Sequence, residues 1–504
     1  MSMLARMPVE TSAPARAAMA SGAPEGLSPA PALRRRPVLR AGAARLGRML
    51  CLAAAMALPA QAALAQERAT GKPPTTIRDA EIEALLRDYT RPILKAAGLA
   101  QQNVEVVLIA DRSFNAFVAD GRRIFVNTGA LVDSVTPNQI IGVLAHETGH
   151  IAGGHLARMR EQLAGAQTMA IVAMLLAAGG VAAGAASGMN GRDLGNVGGA
   201  AISAPQEMIR RSLLSYQRGE EQAADRSAVK YLDATQQSAK GMLETFQRFQ
   251  NDQLFISQRV DPYMLSHPMA RERIATLEEL AKASPYYNTK DSPALQARHD
   301  LMRAKLVGFM ERPEAVARRY PASDTSMAAQ YARAISAYRF GNVNSAVSQI
   351  DALIARDPAN PYFYELKGQA LLESGRAADS VAPLRKAVSM TGGSPLIRAM
   401  LGQALVESGN PAYTGEAIRE LVQATQRDPN SASGWRALSM AYGRSGDLAN
   451  ADLAAAQGFF ASGEFKTGRE LAARARQRFP QGSPGWLKAD DLVNFKPPKS
   501  ASNQ

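Results

Sequence analysis

Between residues 77 and 98 apolar side chains recur every third or fourth position among charged ones, which predicts an amphipathic helix. Residues 104–110, 116–119 and 123–127 are short runs rich in Val, Ile and Phe, read as strands, the last two joined through the turn pair Asp120-Gly121. A helix should then open at Thr136, whose hydroxyl is placed to cap it, with Pro137 in its first turn, and run through Ile140, Val143 and Leu144 to about Met159. Two further helices follow. One, over 168–186, is almost wholly Ala, Val, Leu, Ile, Met and Gly; the other, over about 206–232, is amphipathic, and the Gly/Asn-rich stretch 188–205 between them reads as a mobile connection. The apolar helix leaves two readings open, a buried or membrane-touching hairpin and a membrane span; its weakly hydrophobic Ala/Gly content favours the hairpin.

From Ser292 onward the pattern changes to paired helices. Gly341, Gly375, Gly409 and Gly446 each end a helix-like stretch at intervals of 34, 34 and 37 residues. That period is the tetratricopeptide one. Ala346, Ala417 and Ala451 stand at the tight crossing position after the turn, Pro358, Pro429 and Pro480 follow second helices, and Trp435, Leu438 and Tyr442 repeat the apolar pattern. Such pairs stack into a solenoid whose concave face binds segments of other proteins. The fold class is therefore mainly α: an α+β domain with a small sheet, followed by an all-α solenoid.

Composition narrows the chemistry. The 504 residues are 46% hydrophobic, enough for two or three domains, and excludes disorder over most of the chain. Lys and Arg number 58 against 45 acids, but the eight Arg and two Glu of residues 1–65 leave 50 against 43. So small a surplus, without a basic block in the second half, argues against nucleic acid as a partner. Residues 45–65 hold a basic flank at Arg45 and Arg48, an apolar run over 49–58 too short to span a bilayer, and Ala63-Leu64-Ala65, a small-x-small cleavage pattern. Together they read as an export signal cut near Ala65. Cys51, the one cysteine, lies inside the apolar run, so neither a disulfide framework nor a Cys-based zinc finger is available.

Only His and carboxylates remain as metal ligands. His146-Glu147-Thr148-Gly149-His150 falls within the helix that opens at Thr136. Residues four apart share a helical face, so both imidazoles can ligate one ion while Glu147, about a hundred degrees round, reaches a water beside it. His155, five residues after His150, should face elsewhere and reads as structural. A third ligand is expected from the later amphipathic helix, where Leu214, Glu221, Asp225, Ala228 and Leu232 form one stripe. Acids on a buried stripe are costly unless they meet a cation. Glu221 is thus the candidate ligand and Asp225, one turn on, the acceptor for the ring N–H of a ligating His; Glu220 points away as a solvated charge. The alternative makes Glu221 and Asp225 surface partners of Arg218 or Arg226.

His146-Glu147-x-x-His150 followed by Arg218-x-x-Glu221-x-x-x-Asp225 resembles the HExxH plus ExxxD signature of gluzincin peptidases related to the heat-shock protease HtpX and the CAAX prenyl proteases. With the export signal and the repeat tail, the order of parts resembles the periplasmic protease-chaperones of outer-membrane assembly within that group. The resemblance implies one Zn²⁺ per chain held by His146, His150 and Glu221, with Glu147 as catalytic acid/base. It further implies that Asn115, Ala116 and Phe117 line a substrate edge strand. Ser266-His267-Pro268 with Arg273-Ile274 resembles a loop whose His occupies the open zinc position; His267 or Arg273 would otherwise stabilise the oxyanion. One departure from the pattern is the long Gly-rich hairpin over 179–205. The expected organisation is 1–65 export segment, 66–290 zinc peptidase, 291–490 repeats and 491–504 tail. The expected activity is hydrolysis of peptide bonds in misfolded or misassembled envelope proteins in the periplasm. The repeats would contact clients or the outer-membrane assembly machinery, and peripheral membrane contact would be possible. The alternative is a periplasmic chaperone or scaffold with a mostly resting protease site.

Overall fold

A computed structural model describes residues 75–165, 168, 191–255 and 262–496. The expected export segment, and the apolar stretch 168–186 apart from Thr168, lie outside the described residues. One compact unit comprises Thr75–Leu156 together with everything described from Glu221 onward, and a second comprises Ala157–Glu220.

The first unit opens with β1 (Thr76–Ile77) and helix α1 (Ala80–Ala96). Asp79 caps α1 by accepting from the Ile82 N–H, and Ile82, Leu85, Leu86, Tyr89 and Ile93 form its buried stripe. Strands β2 (Glu105–Ile109), β3 (Ala116–Val118) and β4 (Arg123–Asn127) follow, in the order β1-β2-β4-β3. β2 runs parallel to β4, while β1 and β3 are antiparallel to their neighbours. The β3–β4 register pairs Ala116 with Val126 and Val118 with Ile124, so Ala116, Ile124 and Val126 are buried while Phe117 and Phe125 stack on the opposite face at 5.3 Å. Asp120 closes the hairpin by accepting from the Arg122 and Arg123 N–H groups, with Gly121 at φ 77°.

Helix α2 (Thr128–Asp133) leads into α3 (Pro137–Gly153), the helix of the HExxH motif. Two details differ from expectation. The Thr136 hydroxyl makes no capping bond; the Gln139 amide oxygen instead accepts from the Val135 N–H at 2.7 Å. α3 also stops short of Met159, because Gly154 takes the left-handed conformation (φ 67°), after which residues 155–165 resume as helix. The next helix, α4 (Gly191–Ala234), is 44 residues long and absorbs most of the stretch read as a mobile connection. Glycine costs only about 1 kcal/mol in a helix, so composition alone is a weak prior there.

Helices α5 (Lys240–Phe255), α6 (Pro262–Ser266) and α7 (Arg271–Ala283) complete the surroundings of α3. The tail then alternates α8 (Pro293–Met310), α9 (Pro313–Arg319), α10 (Met327–Phe340), α11 (Val343–Arg356), α12 (Pro361–Glu373), α13 (Ala377–Met390) and α14 (Pro395–Glu407). It ends with α15 (Thr414–Arg427), α16 (Ala432–Arg444), α17 (Leu448–Ala461), α18 (Phe465–Arg478) and α19 (Pro484–Asn494). Gly375, Gly409 and Gly446 end helices with φ between 72° and 81°; Gly463 does the same half a period later, whereas Gly341 stays at φ −119°. Ala346 and Ala417, fully buried, mark the close crossings.

The core runs without a break from Ile77 to Ala370, so α8 and the first repeat helices pack into the same interior as α1 and α3. Lys305 of α8 is buried there, with Nζ 2.9 Å from Asp79, 3.1 Å from Glu81 and 3.6 Å from Glu365 of α12. Tyr331 of α10 donates to Glu81 at 2.9 Å. One buried cation therefore joins α1, through Asp79 and Glu81, to α8 and α12, and Tyr331 of α10 adds a bond to the same Glu81.

Candidate metal centre

The site begins with a close crossing. Gly149 lies against α4, where a β-carbon would come within 2.9 Å of the Ala224 carbonyl oxygen; Gly142, two turns earlier, lies tighter still, 2.5 Å from Met242 Cβ of α5. Lacking side chains at these positions, α3 sinks between its neighbours, and His146 and Glu147 become fully buried. From α4 come Glu221 and Asp225, each 3% exposed, and from the segment after α6 comes His267, 5% exposed.

One ligand atom each of His146, His150, Glu221 and His267 lies within 4.8 Å of the others. The two Nε2 atoms of the motif are 3.0 Å apart. Glu221 stands 3.3 Å from His146 Nε2 and 3.5 Å from His150 Nε2, and His267 Nδ1 is 3.4 Å from His146 Nε2 and 3.1 Å from Glu221. His267 Nε2 lies 3.4 Å from Glu147 Oε1.

Outer contacts support the ligands. Asp225 Oδ1 is 2.9 Å from His146 Nδ1, so the carboxylate flanks that nitrogen while Nε2 faces the other ligands. Arg273, buried on α7, holds Asp225 with Nε at 2.6 Å and Nη2 at 2.8 Å, and reaches Glu221 with Nη1 at 2.8 Å. It also lies over the Phe246 ring at 5.1 Å and donates to the Pro268 carbonyl. Arg273, from a third helix, thus takes the place of the surface partners Arg218 and Arg226. Leu214 is 45% exposed and so does not join the buried stripe of Glu221, Asp225, Ala228 and Leu232, and Glu220 is not a free surface charge but pairs with Arg158 at 2.8 Å.

Burial alone would push Glu221 and Asp225 up, but Arg273 and the adjacent imidazoles hold Glu221 well below, and Asp225 below, the ordinary carboxylate range. Burial opposes charging His146, yet its contacts with Asp225 and Glu221 raise it to about 9; burial and the neighbouring His146 drive His150 well down. Two Nε2 atoms 3.0 Å apart, beside an ionised carboxylate, form a donor cluster that a divalent cation fits. The donor set, two imidazoles and a carboxylate with no thiolate, matches zinc peptidase chemistry. Burial pushes the Glu147 carboxyl up against the pull of His267 and His146, and neither of its oxygens accepts a hydrogen bond from the protein.

Three participants escaped the sequence. His155 Nδ1 lies 2.8 Å from His150 Nδ1: it supports the motif histidine because the left-handed turn at Gly154 redirects it, where an unbroken helix would have carried it away. Phe246 packs edge-on to His146 at 5.7 Å, and Tyr263 lies against His267 at 4.6 Å. Neither stands in a motif or at a spacing that marks it as a neighbour of the site. Asn115, Ala116 and Phe117 fall where β3 begins, and among the described residues β3 pairs only with β4, leaving its other edge unpaired.

An HExxH helix crossed by a Glu-bearing helix defines a metallopeptidase domain. Residues 77–281 match the model of peptidase family M48, and residues 331–395 match a tetratricopeptide repeat. The chain thus carries a family M48 peptidase domain followed by tetratricopeptide repeats. A beta-barrel assembly-enhancing protease of Escherichia coli K12 is 25% identical over 293 residues, 56% of each chain, and one of Yersinia pestis is 25% identical over 286 residues, also 56% of each. A Vibrio cholerae relative is 28% identical over 200 residues, 40% of this chain and 38% of its own. The chain therefore spans about half the length, or less, of the relatives it matches. Among solved structures, the crystal structure of MamA aligns over 32% of this chain and 90% of its own at 18% identity with a TM-score of 0.26, too low to bear on fold or function. No helix among the described residues is long and apolar enough to cross a membrane.

Proposed function

We propose that the chain is a zinc-dependent endopeptidase of the bacterial periplasm that hydrolyses peptide bonds in misfolded or misassembled envelope proteins, its repeats contacting clients or the outer-membrane assembly machinery. The observation that carries the chemistry is the convergence of His146, His150 and Glu221 beside a fully buried Glu147. The name of the Escherichia coli and Yersinia pestis relatives, beta-barrel assembly-enhancing protease, supports the choice of client class.

In this reading His146, His150 and Glu221 hold the ion, and Asp225 and Arg273 hold two of those ligands in place. What a zinc ion supplies when bound is Lewis-acid polarisation of the scissile carbonyl and of a water molecule. Glu147, enclosed and without a hydrogen bond of its own, takes the proton of that water and returns it to the nitrogen of the leaving amine. An extended client segment adds to the open edge of β3 at Asn115, Ala116 and Phe117, which orients its carbonyl toward the metal site. His267 now fills the space between Glu147 and Glu221, so it must withdraw before a substrate enters.

The closed site also favours a second reading, a chaperone or scaffold whose protease rests. Cleavage of unfolded casein by the zinc-loaded chain, alongside Glu147→Gln and His267→Ala, separates the two. The peptidase reading expects loss of cleavage in Glu147→Gln and a gain in His267→Ala at one bound zinc per chain. Equal slow turnover in all three would leave only the scaffold.

A further inference from the structure

His267 is held from behind as well as from within the metal site. Tyr263, fully buried, stands four residues ahead of it, and its ring lies 4.6 Å from the imidazole at 32° between planes. The other sides of the Tyr263 ring are closed by Phe249 at 5.5 Å, Phe114 edge-on at 5.7 Å and Phe246 at 6.1 Å. Phe114 and Phe249 meet edge to face at 4.8 Å, and the Arg248 guanidinium lies 5.2 Å over the first ring and 5.3 Å over the second. Arg248 in turn donates to the Asp133 carbonyl at 3.2 Å. The stack therefore runs from His267 through Tyr263 to Phe114, two residues before β3 begins.

Helix α6, which carries Tyr263, has five residues, and its end is tied to His267 by a single backbone bond, His267 N–H to Tyr263 O at 2.8 Å. So short a helix does not hold its own geometry; packing of its side chains must. Tyr263 is the largest such side chain, and it touches the imidazole directly. The ring nitrogens of that imidazole face Glu147, Glu221 and His146.

We propose that Tyr263 is a positioning residue: its ring presses the His267 imidazole into the metal site, and Phe114 ties that hold to the segment entering β3. The inference rests on the reading that His267 closes the site. Removing the ring, or its Phe114 support, frees His267; keeping the ring without the hydroxyl does not.

The test is the rate at which diethyl pyrocarbonate modifies His267 in the full chain, read by peptide mass spectrometry, with the fully buried His299 as an internal control for unfolding. Tyr263→Leu and Phe114→Leu are expected to speed modification of His267 by about tenfold or more with His299 unchanged. Tyr263→Phe should keep the wild-type rate. Casein cleavage by Tyr263→Leu should rise toward that of His267→Ala, with no further rise in the double variant. Wild-type His267 reactivity in both leucine variants would overturn the proposal, as would a Tyr263→Phe variant that behaves like Tyr263→Leu, or parallel increases at His267 and His299. If His267→Ala leaves cleavage unchanged while Tyr263→Leu still exposes His267, the closure reading fails and the positioning role stands.

Discussion

Asp225 Oδ1 lies 2.9 Å from His146 Nδ1, and the same carboxylate is gripped by Arg273 at 2.6 Å and 2.8 Å. The motif histidine is thereby held in one tautomer by an acid that is itself immobilised. Asp225→Asn removes the charge and lets an amide nitrogen face the ring, so zinc affinity should fall by about 10–100-fold with the fold retained. Competition against a chromogenic chelator measures this; an affinity within twofold of wild type would mean that Asp225 does not act on His146.

Gly149 sets how closely α3 and α4 approach. A β-carbon there would meet the Ala224 carbonyl at 2.9 Å and the Ser227 side chain at 3.3 Å, and backbone cannot rotate out of the way. Gly149→Val should destabilise the domain by about 1–3 kcal/mol through overpacking. Because it separates the helix of His146 from that of Glu221, zinc binding should weaken along with stability. Urea denaturation and metal titration of one preparation would show whether the two losses occur together.

Among the described residues, Lys305 is the one cation that pairs with Asp79, Glu81 and Glu365 in the core. Burial pushes Glu365 up to about 7 despite the lysine, so little further loss of positive charge is tolerated. Lys305→Met should cost about 3–5 kcal/mol, the penalty for orphaning buried acids. Limited proteolysis near residue 311 should then release the tail from the peptidase domain, whereas an intact, wild-type-stable Lys305→Met chain would show the cluster to be dispensable.

His299 is enclosed between Tyr89, whose hydroxyl is 3.0 Å from Nδ1, and the Ser134 carbonyl, 2.7 Å from Nε2. Burial lowers it to about 4 against an ordinary 6.5. The unfolded chain therefore binds a proton here before the folded one does. Stability from this group is complete above about pH 6.5 and falls by about 3 kcal/mol as pH drops through about 4. Urea midpoints at pH 7 and pH 4.5 for wild type and His299→Gln check this: the variant should lose less on acidification, and parallel losses would exclude His299 as the source.

How much of this was legible in the residues depends on the range of the interaction. The amphipathic stripe of α1, the strands around Asp120-Gly121, and the 34-residue repeat are local patterns, and each became the expected element. His146, His150, Glu221 and Asp225 were readable as a group because a metal demands donors at fixed helical spacing and a buried acid demands a cation. What escaped is non-local or a matter of a single dihedral. Gly154 at φ 67° brought His155 onto His150, and no periodicity announces a left-handed residue inside an apparently continuous helix. Arg273 came to Asp225 from 48 residues away, where only the resemblance drew attention to it. The extent of α4 was missed because glycines suggested a break that tertiary context overrode.

The three residues of β3 limit what its open edge can do alone. An added segment could form two or three backbone bonds there, each worth about 0.5–1.5 kcal/mol net, so docking on this edge alone gives only a fleeting encounter. Short peptides should accordingly be poor substrates at any concentration that leaves the protein soluble. Tethering a long chain elsewhere on the molecule would raise its local concentration beside the edge, so that turnover would track client length more than the identity of the bond cut.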